Sequence, residues 1–112
     1  MAKIKIVYTS DNDINTLEFL CPVCKFDSGN PMPHQIKWQK DNSKTWTFDE
    51  NYDFPTITPS IAVSGVSLNE NGERVNDMCH MWITKGKIKF FHDCTHGMKG
   101  KQWIDMLEIT ND

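Results

Sequence analysis

Short runs that alternate apolar and polar residues, separated by turn formers, most constrain how this chain can fold. In the run TLEFL, for example, Leu17 and Phe19 fall on one face, which is the period of a strand. Asn71-Gly72 lies between two further runs and predicts a tight hairpin that pairs Leu68 with Val75. No apolar run approaches the roughly 20 residues that cross a bilayer. The sequence therefore predicts a mainly β fold of about eight short antiparallel strands.

The length of 112 residues predicts one small domain that spans residues 1–112. A domain of this size buries only about 65% of its unfolded surface, so a bound ion would add useful stability. The first residues alternate charged and apolar side chains and lack the apolar stretch of a secretion signal. We therefore expect a cytoplasmic protein without a membrane segment.

Four cysteines form two pairs, Cys21 with Cys24 and Cys79 with Cys94. In the absence of a secretion signal, they are expected to be thiols or metal ligands rather than disulfides. A C-x-x-C motif that contains a proline, Pro22 here, is typical of a zinc knuckle. A redox dithiol is the alternative, but that motif normally opens a helix, and the surrounding residues predict none.

The second cysteine pair can be placed by hairpin geometry. A two-residue turn at Lys85-Gly86 pairs Met81 with Phe90 and Cys79 with His92. The face of the hairpin that carries Cys79 is then consistently apolar, which supports this register.

Cys94 would lie diagonal to Cys79 on the same face of this hairpin. A shift of one residue would instead bring Cys94 onto the face of His80, which makes His80 the alternative ligand. The sequence therefore predicts a zinc-ribbon-like site at the centre of the β domain. The predicted zinc ligands are Cys21, Cys24, Cys79 and Cys94.

Three residues near the last cysteine are candidates for catalysis: His80, Asp93 and His96. A histidine oriented by a carboxylate beside a metal is a common arrangement for a general base. The alternative is that Asp93 and His96 only hydrogen-bond the turn after Cys94. The H-E-x-x-H and H-x-E motifs of known zinc enzymes are absent from the sequence. A non-enzymatic role is therefore favoured, and a metal-dependent hydrolase or transferase is the second hypothesis.

Lysines are concentrated around the second hairpin, at Lys85, Lys87 and Lys89. Basic hairpins with aromatic neighbours can contact nucleic acid. The chain, however, has a net charge of −3, which is unlike a protein that follows a phosphate backbone. A protein partner is therefore expected, and nucleic acid is not favoured.

Several motifs together carry a resemblance to a known family. They are F-L-C-P-V-C (19–24), W-T-F-D-E-N (46–51), P-T-I-T-P-S-I (55–61), and the segment from C-H at 79–80 to D-C-T-H at 93–96. The chain resembles, from about residue 19 to 109, a zinc-ribbon-like domain family of unknown function that is common in phages and prophages. More distant relatives of that family are encoded beside bacterial ubiquitin-like conjugation genes.

The resemblance implies a small phage-type accessory protein that acts in the host cytoplasm. Two converging cysteine pairs without an enzyme signature lead, in addition, to the hypothesis of a structural metal site in a protein that binds a macromolecular partner such as a host or defence protein. The resemblance implies no activity.

Overall fold

The structure is a computed structural model. It describes residues 2–25, 28–68, 70–91, 94 and 103–109, and for residues 24, 25 and 67 it describes the backbone only. The described residues form eight strands in two antiparallel sheets. The strands are β1 (Lys5–Thr9), β2 (Asn15–Lys25), β3 (Pro31–Trp38), β4 (Thr47–Phe48), β5 (Ile57–Leu68), β6 (Arg74–Thr84), β7 (Lys87–Phe90) and β8 (Ile104–Asp105).

The first sheet contains β1, β2 and β3 in that order. The predicted alternation in β2 is confirmed, because Leu17 and Phe19 are both fully buried. They pair with Ile36 and His34 on β3, so the same face of β3 is buried. Regular pairing is interrupted in β2 between Leu20 and Lys25, and the segment that contains both cysteines of the C-x-x-C motif falls within this irregularity.

The second sheet has the order β4-β5-β6-β7-β8. Between β6 and β7, the predicted pairing of Met81 with Phe90 is confirmed. The turn residues Lys85 and Gly86 both have positive φ, of 48° and 77°. A Cβ atom on Gly86 would lie 3.1 Å from the Cα atom of Phe54, so the close packing of this turn also favours glycine.

The predicted register of the β5–β6 hairpin is wrong by one residue. Leu68 pairs with Arg74 and not with Val75, so five residues connect the strands. Gly72 has a φ of 76° within this connection. Leu68 is 68% exposed and Val75 is 37% exposed, so burial does not select one register here.

One core joins the two sheets into a small single domain. The buried cluster includes Leu17, Phe19 and Cys21 from the first sheet, and Met81 and Ile83 from the second. The prediction of a mainly β antiparallel fold is confirmed, and no helix is present among the described residues. That part of the chain accordingly contains no helix long and apolar enough to cross a membrane.

Candidate functional site

A serine and a histidine meet on the outer face of the second sheet. Strands β5 and β6 are antiparallel, and Ala62 pairs with His80. The pairing is irregular between Ile57 and Ile61, and Ser60 lies in this irregular stretch. The Oγ atom of Ser60 is 3.1 Å from Nε2 of His80, which is a hydrogen bond between two half-buried side chains. This is the contact that a serine nucleophile and its general base make.

Aromatic rings hold the imidazole of His80 in place. The ring of Phe91 stacks on His80 with a centroid distance of 3.6 Å and an angle of 10° between the planes. Phe91 also stacks on Trp82, again at 3.6 Å. His80 and Trp82 are two residues apart on β6 and share its outer face, so Phe91 contacts both. The stack restricts rotation of the imidazole and leaves Trp82 43% exposed beside it.

Trp46 connects Ser60 to the first sheet. Its indole Nε1–H donates a hydrogen bond to the backbone carbonyl of Ser60, at 3.3 Å. Its backbone N–H donates to the carbonyl of Lys37 on β3, at 3.2 Å. Trp46 also lines an open cavity of about 380 Å³ whose walls extend from Trp38 to Glu50. The backbone of Ser60 is therefore tied to both sheets through Trp46.

A second cluster lies in the core, where the two sheets face each other. Cys21 on β2, His34 on β3 and Cys79 on β6 offer ligand atoms that all lie within 4.8 Å of one another. The sulfur atoms of Cys21 and Cys79 are 3.8 Å apart. All three residues are buried, at 0%, 3% and 4% exposure. Two sulfurs and an imidazole in this arrangement can hold a metal ion.

Cys94 lies against the backbone of His80, the residue that follows Cys79. Its sulfur accepts a hydrogen bond from the His80 N–H at 3.1 Å, and its S–H donates to the His80 carbonyl at 3.0 Å. Cys94 is buried but is not part of the three-residue cluster. Of the four cysteines predicted as ligands, the structure thus brings Cys21 and Cys79 together. The side chain of Cys24 lies outside the described residues.

The other sequence candidates are only partly covered by the structure. His80, predicted both as a catalytic candidate and as an alternative ligand, makes its Nε2 contact with Ser60 and not with the metal cluster. Asp93 and His96 lie outside the described residues, as does the predicted partner of Cys79, His92. Their proposed roles stay predictions.

Comparison with known protein families identifies the chain. Residues 1–91 match the model of a family described as bacterial ubiquitination-like system serine protease (BubE). The chain belongs to the BubE family. Searches of curated proteins and of solved structures give no significant match. The link to bacterial ubiquitin-like conjugation in the sequence resemblance agrees with BubE, whereas the match gives no support to its phage and zinc-ribbon parts.

Membership of BubE corrects the functional prediction. A phage-type accessory protein that acts by binding a macromolecular partner through a structural zinc domain was the wrong expectation, because the family is described as a serine protease. The alternative of a metal-dependent hydrolase or transferase is wrong for the same reason, whereas the candidate residues His80, Asp93 and His96 stay predictions. The cysteine pairs dominate the chemistry that is visible in the sequence, and they give no sign of a serine nucleophile.

Two residues of these sites were not predicted from the sequence, Ser60 and His34. Ser60 lies in the P-T-I-T-P-S-I motif, but a serine in a strand gives no chemical signal until its neighbour is known. His34 had a usable signal. A β2–β3 hairpin that pairs Phe19 with His34 places the histidine on the face of Cys21, two residues further along β2.

Proposed function

We propose that this chain is a serine peptidase of a bacterial ubiquitination-like system and that it cleaves an amide bond made by a ubiquitin-like modifier. The hydrogen bond between Ser60 and His80 carries the proposal, because it places a nucleophile beside a base in a chain whose family is described as a serine protease. Ser60 is the nucleophile and His80 is the general base.

The proposed reaction follows the usual course of acyl transfer. Nε2 of neutral His80 accepts the proton of Ser60 as Oγ attacks the carbonyl carbon of the scissile amide. His80 then returns this proton to the leaving amine as the C–N bond breaks, which leaves an ester on Ser60. Water, deprotonated by His80, hydrolyses the ester and restores the serine hydroxyl.

The surroundings of the pair support this role. Phe91 fixes the plane of the imidazole, and Trp46 fixes the backbone of Ser60. A third group normally orients the base in such sites. Asp93 is the candidate from the sequence, because the hairpin register predicted from the sequence brings it within diagonal reach of His80.

The proposed substrate is a protein, and the outer face of the second sheet suits one. Trp82 offers exposed apolar surface next to His80. Trp46, whose indole N–H bonds the backbone of Ser60, also lines an open cavity. Trp82 and the Ser60–His80 pair both contact the stacked rings of this face, so a peptide that binds against Trp82 would lie close to the proposed nucleophile.

Labelling with a fluorophosphonate, followed by peptide mass spectrometry, tests the proposal. The wild-type chain should carry the label on Ser60 and should cleave a C-terminally extended bacterial ubiquitin-like protein. Ser60→Ala should lose the label and reduce kcat by about three orders of magnitude or more. Ser64→Ala is the matched control, since Ser64 is an exposed serine on the same strand, and it should behave as the wild type. Wild-type cleavage by Ser60→Ala would overturn the proposal.

We also propose that the ion held by the buried cluster is zinc. Thiolate and imidazole ligands together favour zinc over calcium or magnesium, which prefer oxygen. The sequence predicts four zinc ligands, Cys21, Cys24, Cys79 and Cys94. The short distance between the sulfur atoms of Cys21 and Cys79 supports these two.

A further inference from the structure

The buried cluster contains a distance that suits a metal site. The sulfur atoms of Cys21 and Cys79 are 3.8 Å apart, far longer than the roughly 2.05 Å of a disulfide. Two thiolates on a tetrahedral zinc ion, each about 2.3 Å from the metal, are about 3.8 Å apart. A thiol–thiol hydrogen bond is the alternative for this separation, so the distance alone does not decide between the two.

The imidazole of His34 provides the second, independent observation. Its Nε2 atom is buried and has no hydrogen-bond partner among the described residues. A buried polar atom without a partner is destabilising, and native proteins rarely leave one so. The ring is held edge-on against Phe19, with 5.7 Å between centroids, while its ligand atom lies within 4.8 Å of both sulfurs. A metal ion between the three residues would provide a polar partner for this buried imidazole.

We propose that His34 is a zinc ligand and that Cys21, His34 and Cys79 hold one ion between the two sheets. This assignment rests on the zinc proposal but is independent of the peptidase proposal. Cys21 and His34 belong to the first sheet and Cys79 to the second, so the ion would bridge the sheets at the centre of the core. One position on a tetrahedral ion remains for a fourth donor.

The proposed ion would not take part in peptide cleavage. Cys79 and His80 are neighbours on β6 and therefore project to opposite faces of the sheet. Cys79 is buried against the core, whereas His80 contacts Ser60 and Phe91 on the outer face. The ion would instead fix the strand that carries the base, because it binds the residue directly before it.

Metal analysis of the purified full chain tests the assignment. The wild type should contain about one zinc ion per chain, as a site with thiolate ligands retains its metal through purification. His34→Gln should lower zinc affinity by more than the roughly 10- to 100-fold that the loss of an outer-shell contact costs. Lys37→Gln is the matched control, because Lys37 is an exposed residue on the same strand as His34, and it should keep the zinc.

X-ray absorption at the zinc edge removes the risk that a variant simply misfolds, because it uses the wild type. The expected first shell contains sulfur from two cysteines and nitrogen from at least one histidine. A shell of sulfur alone, or zinc bound by His34→Gln as tightly as by the wild type, would overturn the assignment of His34 and leave the zinc proposal standing. Wild-type protein purified without zinc, which also fails to bind added zinc, would overturn both. Neither outcome bears on cleavage by Ser60, which is assayed separately.

Discussion

The two faces of strand β6 carry different chemistry. On the inner face, Cys79 lies in a fully enclosed cluster with Cys21 and His34. On the outer face, His80 is half-buried and forms a hydrogen bond with Ser60. The residues are adjacent, and a cysteine and a histidine are both good metal ligands and good catalytic groups. Burial and neighbours, rather than residue type, therefore separate a candidate metal site from a candidate catalytic site.

The largest effect is expected on the outer face. His80→Ala removes the proposed base, so kcat/KM for a ubiquitin-like substrate should fall by about three to four orders of magnitude. Zinc content should stay that of the wild type, because the imidazole of His80 is outside the metal cluster. Initial rates and metal analysis on the same sample measure both quantities.

Thr84→Ala provides the control for His80→Ala, because Thr84 is exposed at the end of the same strand. This control should keep full activity. If His80→Ala retained more than about a tenth of the wild-type rate, His80 would not be the base.

The second-largest effect is expected on the stability of the fold, from a substitution on the inner face of β6. Met81 is fully buried next to the cluster, and Met81→Ala should lower the free energy of unfolding by about 3 kcal/mol. Because Met81 projects to the inner face of β6 and His80 to the outer face, the folded variant should keep most of its kcat. Urea unfolding measures the first quantity and initial rates the second.

Leu68→Ala is the matched control for Met81→Ala, since Leu68 is an apolar residue that is 68% exposed. It should change stability by less than about 0.5 kcal/mol. Equal losses in the two variants would show that the inner face is not packed as the structure has it.

The site residues that the sequence predicts differ from those that it misses in how far they depend on tertiary structure. Cys21, Cys79 and His80 could be selected because their chemistry is visible in the residue type. The β6–β7 register could be derived because a two-residue turn and an apolar face agree on it. Ser60 became significant only through pairing with a strand 20 residues further on, and His34 only through the packing of two sheets. Such relations depend on tertiary structure, which alternation along the chain does not contain.

A third, smaller effect is expected from the ring that orients His80. Phe91→Leu keeps apolar volume but loses the stacked ring, which is worth about 1 kcal/mol, so kcat/KM should fall about fivefold. Phe91→Tyr keeps the ring and should restore the rate. Phe54→Leu is the control, since Phe54 is an exposed aromatic residue outside this stack, and it should have no effect. Equal rates for the leucine and tyrosine variants at position 91 would show that the ring does not position the base.

The smallest effect is expected from an exposed ion pair that belongs to neither the metal cluster nor the Ser60–His80 pair. Nζ of Lys87 on β7 lies 3.0 Å from Oδ1 of Asp105 on β8, and both side chains are exposed. The hydrogen bond from Lys87, and then its charge, lower the pKa of Asp105 below its ordinary value. Because the pKa is lower in the folded state, the pair stabilises the fold above the unfolded pKa of about 3.9 and loses this contribution as the pH falls through the folded value.

This small contribution can be isolated by NMR titration of the Asp105 carboxyl carbon. In Lys87→Met, the pKa of Asp105 should rise towards that of an unpaired aspartate, and added salt should reduce the difference from the wild type. Zinc content and cleavage should be unchanged, because the pair touches neither the cluster nor Ser60. If Lys87→Met altered either one, the two faces of β6 would be coupled through the edge of the sheet, and the separation of their chemistry would not hold.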